Sequence, residues 1–151
     1  MATTVNFKNL PTGFQTIISN GRHSLLADEP VKSKGTDLGF SPPELLLAAI
    51  GMCKAATVRY IARREGWDAR LRDVDATLRQ TVRRDCETGK LRTRIEVELQ
   101  IEGALSAAER AVLVREADAC YIHRMIEGDW DIVPAVERPT DTLAEEYVAR
   151  A

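Results

Sequence analysis

The side chains best suited to chemistry in this chain are three cysteines, Cys53, Cys86 and Cys120, and two histidines, His23 and His123. The cysteines are too few and too widely spaced for a disulfide framework, so any thiol chemistry would be catalytic or redox-sensing. Cys53 ends an apolar run, where a free cysteine by default packs like a small hydrophobe. Burial favours the neutral thiol, and Cys53 lies about three turns into a predicted helix, beyond reach of the helix dipole. A reactive Cys53 therefore requires a nearby cation. Cys120 opens Cys120-Tyr-Ile-His-Arg124, and Cys-x-x-His is half of a zinc site that His23 and Cys53 could in principle complete. Without a second Cys or His pair beside it, that reading stays an alternative. Cys86, between Asp85 and Glu87, has carboxylates that oppose a thiolate and reads as incidental. Arg22, Arg63-Arg64 and Arg83-Arg84 read as solvated charges, and Glu44 as a complement to the helix dipole.

A chain of 151 residues with 44% hydrophobic content fits one domain, expected over 1–138 and followed by a C-terminal tail over 139–151. The 21 basic and 23 acidic residues nearly cancel, so no nucleic-acid partner is expected. The first ten residues lack the pattern of a signal peptide, which places the expected location in the cytoplasm. The longest apolar run, Leu45 to Cys53, is nine residues, about half of a membrane span, so no membrane partner is expected either.

The elements that must position the cysteines follow from pattern. Asn20-Gly21 predicts a hairpin between two short strands within residues 6–27. Residues 28–41 read as a loop of about fourteen residues, a length often tied to function. Ser41 then caps a helix led by Pro42-Pro43 that runs to about Glu65 and stops at Gly66. Its first half is apolar on every side and must be covered on every side. Val74, Ala76, Leu78 and Val82 alternate with polar residues, as do Thr93, Ile95, Val97, Leu99 and Ile101, which predicts a long hairpin. Ser106-Ala-Ala-Glu109 has capping-box spacing and opens a second helix through Cys120, with Ala107, Ala111, Val114 and Ala117 as its apolar stripe. Asp131 to Glu137 reads as a last strand, at an edge because of Pro134, and the tail as loosely docked helix. The fold class is α+β, with helices packed on an antiparallel sheet. One sheet covers one side of the apolar helix, so a homodimer is expected to wrap the rest.

Ser41-Pro-Pro-Glu-Leu-Leu-Leu-Ala-Ala-Ile-Gly-Met-Cys53 resembles the central-helix motif of the OsmC/Ohr superfamily of hydroperoxide reductases. Leu25-Leu-Ala-Asp-Glu-Pro30 with Gly35-Thr-Asp-Leu-Gly39 is similar to the loop of its OsmC-like branch that carries the ELLL helix. Cys120-Tyr-Ile-His-Arg-Met resembles its second cysteine motif. The resemblance implies an OsmC-like fold, an intertwined homodimer and a peroxidase cycle through a Cys53 sulfenic acid and a Cys53–Cys120 disulfide. A hydroperoxide and an external dithiol are its implied partners, with no cofactor and no metal. It also implies that Arg22 favours the Cys53 thiolate and that Glu44 orients Arg22. In the organic-hydroperoxide branch the glutamate directly follows the leading proline, where this chain has Pro43, and one residue on a helix turns a side chain by about 100°. Proline usually follows the second cysteine there, where this chain has Tyr121. These departures keep a second reading open, a non-catalytic dimer that binds a small hydrophobic ligand.

Overall fold

The Asn20-Gly21 turn forms because Asn20 Oδ1 accepts from the amides of Arg22 and His23 at 3.0 and 2.9 Å and Gly21 takes φ +84. In the computed structural model, which describes residues 3–137, it joins β2 (Thr16–Ser19) to β3 (Ser24–Ala27). A strand not expected from the sequence, β1 (Asn6–Asn9), pairs antiparallel with β2 through a turn at Gly13. The three strands form one antiparallel sheet in the order β1-β2-β3.

The connection that follows is held by one buried carboxylate. Asp28 accepts from the amides of Glu29, Thr36 and Leu38 and from the Thr36 hydroxyl at 2.5–3.3 Å. The Thr36 hydroxyl is the main cause of its lowered pKa, opposed by burial. Close backbone approaches complete the loop: a Cβ on Gly35 would stand 1.8 Å from the Glu29 carbonyl oxygen, and one on Gly39 2.3 Å from that of Leu26. A parallel bridge from Ala27 to Phe40 then delivers the chain to Ser41.

α1 spans Pro42–Arg64, with Ser41 as N-cap and Glu65 as C-cap. Gly66, at φ +74, ends it, and the Trp67 amide returns to the Ala62 carbonyl at 2.7 Å. β4 (Leu71–Arg84) and β5 (Leu91–Gly103) form the expected hairpin, a second antiparallel sheet. Its register puts Val74 opposite Ile101, Ala76 opposite Leu99 and Leu78 opposite Val97, so the apolar face meets α1. The core joins Val58, Ile61 and Ala62 of α1 to Leu71 and Ile101 of the hairpin and to Leu105, Leu113 and Ala117 beyond it. Each fully buried Val or Leu there contributes roughly 1.5–3 kcal/mol, so the C-terminal half of α1 is the anchored half.

The N-terminal half is covered on one side only. Leu46 and Met52 are exposed, Met52 at 73%. By length and composition α1 is apolar enough to cross a membrane, which the nine-residue count understated; in the fold it packs on β4 and on the second helix.

Two expectations near the second cysteine are corrected. α2 spans Ala107–Ala117 and stops short of Cys120. The amides of Asp118, Ala119 and Cys120 bond to the carbonyls of Arg115, Glu116 and Ala117, three residues back, which tightens and ends the helix. Its buried residues are Leu113 and Ala117, while Ala107, Ala111 and Val114 are exposed. A separate helix, α3 (Tyr121–Glu127), follows with extended Cys120 as its N-cap. Asp131 to Glu137 forms no strand: Pro134 lacks a donor, no strand edge pairs with the segment, and Ile132 and Val136 are exposed. The expected tail helix lies outside the described residues, and the α+β class with antiparallel pairing holds, divided into two sheets.

Candidate functional site

The break between α2 and α3 turns the chain back over α1, and it brings together cysteines far apart in sequence. Cys53 is half-buried and Cys120 buried, 1% exposed. The Ile122 amide donates to Cys53 Sγ at 3.5 Å and the next amide, His123, to Cys120 Sγ at 3.4 Å. The two cysteines thus accept from consecutive amides of one helical turn. Burial pushes the Cys120 thiol up; the His123 amide opposes this, the neighbouring Cys53 adds to it, and the positive charge of Lys54 opposes it. A charge on Cys53 thus works against a second on Cys120.

Lys54 is a site residue that the sequence reading missed. Its side chain is 2% exposed, yet Nζ donates to Asp118 Oδ1 at 2.7 Å, to the Ala117 carbonyl at 3.5 Å and meets His123 Nδ1 at 3.0 Å. Three partners satisfy the three N–H bonds of an ammonium. On the other side of the ring, His123 Nε2 stands 3.1 Å from Glu127 Oε1. The signal was present: Lys54 is the single charge between Glu44 and Arg59 in an otherwise apolar helix.

Arg22 and Glu44 are not brought to the sulfurs within one chain. Arg22 sits exposed in the hairpin turn, and its guanidinium has no hydrogen bond to Glu44 or Cys53 among the described residues. Glu44 Oε2 accepts from the Ser41 amide and hydroxyl, both at 2.7 Å, and these bonds lower its pKa, the amide foremost. Cys86 is exposed at the tip of the long hairpin. No three His, Cys, Asp or Glu side chains converge as a metal site among the described residues.

An open groove runs between α1 and β4, lined by Leu47, Gly51, Met52 and Ala55 on one side and Val74 and Leu78 on the other. Gly51 makes the approach possible, since a Cβ there would stand 2.9 Å from a Leu78 methyl.

Comparison with solved structures gives the same fold. The organic hydroperoxide resistance protein OsmC of Legionella pneumophila has 21% identity and a TM-score of 0.64, over 85% of this chain and 90% of that one. An OsmC-like protein of Mycoplasma pneumoniae has 16% identity and a TM-score of 0.64, over 85% and 89%. The organic hydroperoxide resistance protein OhrB of Bacillus subtilis has 14% identity and a TM-score of 0.62, over 87% and 94%. No curated protein sequence matches. The sequence profile described as OsmC-like protein matches residues 35–133, which takes in the end of the pinned loop, α1 with Cys53, the long hairpin, and the junction that holds Cys120. With that span matched and the fold shared, the chain belongs to the OsmC-like protein family.

Proposed function

We propose that the protein is a thiol-dependent peroxidase that reduces organic hydroperoxides or hydrogen peroxide in oxidative-stress defence. The observation that carries this reading is that two thiols 67 positions apart each accept from one of two consecutive amides. Cys53, the more accessible sulfur, attacks one peroxide oxygen as thiolate; the O–O bond breaks, the alkoxide leaves and takes a proton, and Cys53 becomes a sulfenic acid. Cys120 gives up its proton and attacks the Cys53 sulfur, and the sulfenic hydroxyl leaves as water. An external dithiol returns the disulfide to two thiols and is itself oxidised, a step suited to a reducing cytoplasm. The hydroperoxide-resistance names of the Legionella and Bacillus proteins support the substrate class.

A homodimer is part of the proposal. The β1–β3 sheet packs against neither α1 nor the long hairpin to any extent, and it exposes Phe7, Ile17, Leu25 and Leu26. A second copy would cover both that sheet and the open side of α1. Arg22 would then act on the Cys53 of the other copy, with Glu44 using Oε1, the oxygen not bonded to Ser41, to orient it.

The test is to incubate reduced protein with cumene hydroperoxide or hydrogen peroxide and a dithiol, following peroxide loss and intact mass. Thiol-dependent turnover and a Cys53–Cys120 disulfide are expected. Absence of both sinks the proposal. The groove favours one competing reading, a non-catalytic dimer holding a small hydrophobic ligand between α1 and β4. That reading requires Cys53→Ser to bind the same ligand unchanged and the wild type to lack turnover.

A further inference from the structure

A lysine ammonium is rarely buried unless it is paired and fully hydrogen-bonded, and Lys54 is both. Its location gives the pairing a purpose. Lys54 follows Cys53 directly, while its partners Ala117, Asp118 and His123 all belong to the junction that carries Cys120. Asp118 is 71% exposed, so it could hold a lysine at the surface with less desolvation; instead the ammonium is drawn inside.

We propose that Lys54 is the positioning residue for disulfide closure: its buried charge ties the α2–α3 junction to α1 and supplies the cation that lets Cys120 ionise when it attacks Cys53. Lys54 is enclosed, so it does not meet the peroxide and acts on the second sulfur step only. His123, held at Nδ1 by Lys54 and at Nε2 by Glu127, fixes the amide that donates to Cys120 Sγ. Closure follows the balance already given: Cys120 loses its proton, the S–S bond forms, and the sulfenic hydroxyl leaves as water. This inference rests on the peroxidase reading for its biological role, but the cysteine chemistry can be measured without peroxide.

The experiment follows disulfide closure driven by diamide from pH 5 to 10 in the wild type and in Lys54→Met, Lys54→Gln and Lys54→Arg. Diamide takes up the two electrons and two protons that closure releases. The groups facing Cys120 are Cys53 and Lys54 of α1, Asp118 at the end of α2 and His123 of α3, with Glu127 behind His123. Loss of the charge is expected to move the rising limb about one pH unit upward and slow closure about tenfold at pH 7, since one unit of thiol acidity is a factor of ten in thiolate. Lys54→Arg should restore the limb. Lys54→Gln, which keeps a donor, reads the effect if the methionine variant does not fold. An unmoved limb in both neutral variants, whether closure is slow or not, overturns the inference, as does an arginine variant no better than glutamine. Wild-type closure with diamide but no turnover of peroxide would defeat the peroxidase reading instead.

Discussion

The backbone amide of Ile122 donates to the sulfur of Cys53 at 3.5 Å, across 69 positions of chain. The same turn of α3 serves Cys120 through the next amide. The two cysteines therefore share one turn of α3 as donor, and they differ in accessibility.

That difference predicts opposite outcomes for the two serine variants. Cys53→Ser should lose peroxide turnover by at least about a hundredfold, in line with loss of an activated nucleophile. Cys120→Ser should still consume one equivalent of peroxide and add one oxygen at Cys53, trapped by a sulfenic-acid reagent, without a disulfide. Intact mass after a single addition of cumene hydroperoxide reads both. A Cys120→Ser protein that takes up no oxygen would contradict the assignment.

The start of α2 predicts a pH effect on stability. Arg70 hydrogen-bonds Glu109, the first cause of a pKa lowered from 4.5 to about 2, and Glu109 also accepts from the Ser106 amide at 2.8 Å. A carboxyl whose folded pKa is depressed stabilises the fold above its unfolded value, and this is lost as pH falls through the folded one. Glu109→Gln should therefore melt lower than wild type at pH 6, with the gap closing between pH 4.5 and 2. Ser106→Ala, which removes the acceptor for the Glu109 amide, should cost about 1 kcal/mol by denaturant titration.

Asp28 predicts a local effect. Asp28→Ala strands the amides of Thr36 and Leu38 in the loop that leads into α1. Limited proteolysis should cut residues 29–40 faster than in wild type, while α2 and α3 stay protected. Uniform protection of that loop would show that the carboxylate does not order it.

The exposed half of α1 predicts assembly. Sedimentation should give twice the 16.8 kDa chain mass, and Met52→Glu should dissociate the dimer by placing a charge in a covered apolar face. A wild-type protein that sediments as a monomer would remove the homodimer, and with it the cross-chain role for Arg22.

Much of the architecture was legible from local rules. Ser41, Pro42 and Gly66 bound α1 because capping and left-handed backbone are properties of single residues. The β4–β5 pairing was visible in period-two alternation, and the Asn20-Gly21 turn in its dipeptide. The failures lie where neighbours decide. The helix expected to run through Cys120 breaks at Ala117, since nothing in that composition distinguishes a continuous helix from two. The strand expected at Asp131 to Glu137 has suitable residues but no edge beside it. β1 was missed because four half-polar residues carry too little pattern.

For the site, the sequence by itself determined which atoms can react: two cysteines in recognisable surroundings, and a need for positive charge near a thiol in an apolar helix. Only the tertiary structure decided that a lysine lies enclosed against the segment that carries Cys120. Lys54 was missed, because sequence spacing cannot tell a charge facing water from one enclosed by Ala117, Asp118 and His123. Reactivity is a property of side-chain type, whereas ionisation depends on solvent and neighbours, and those are set by packing between distant segments.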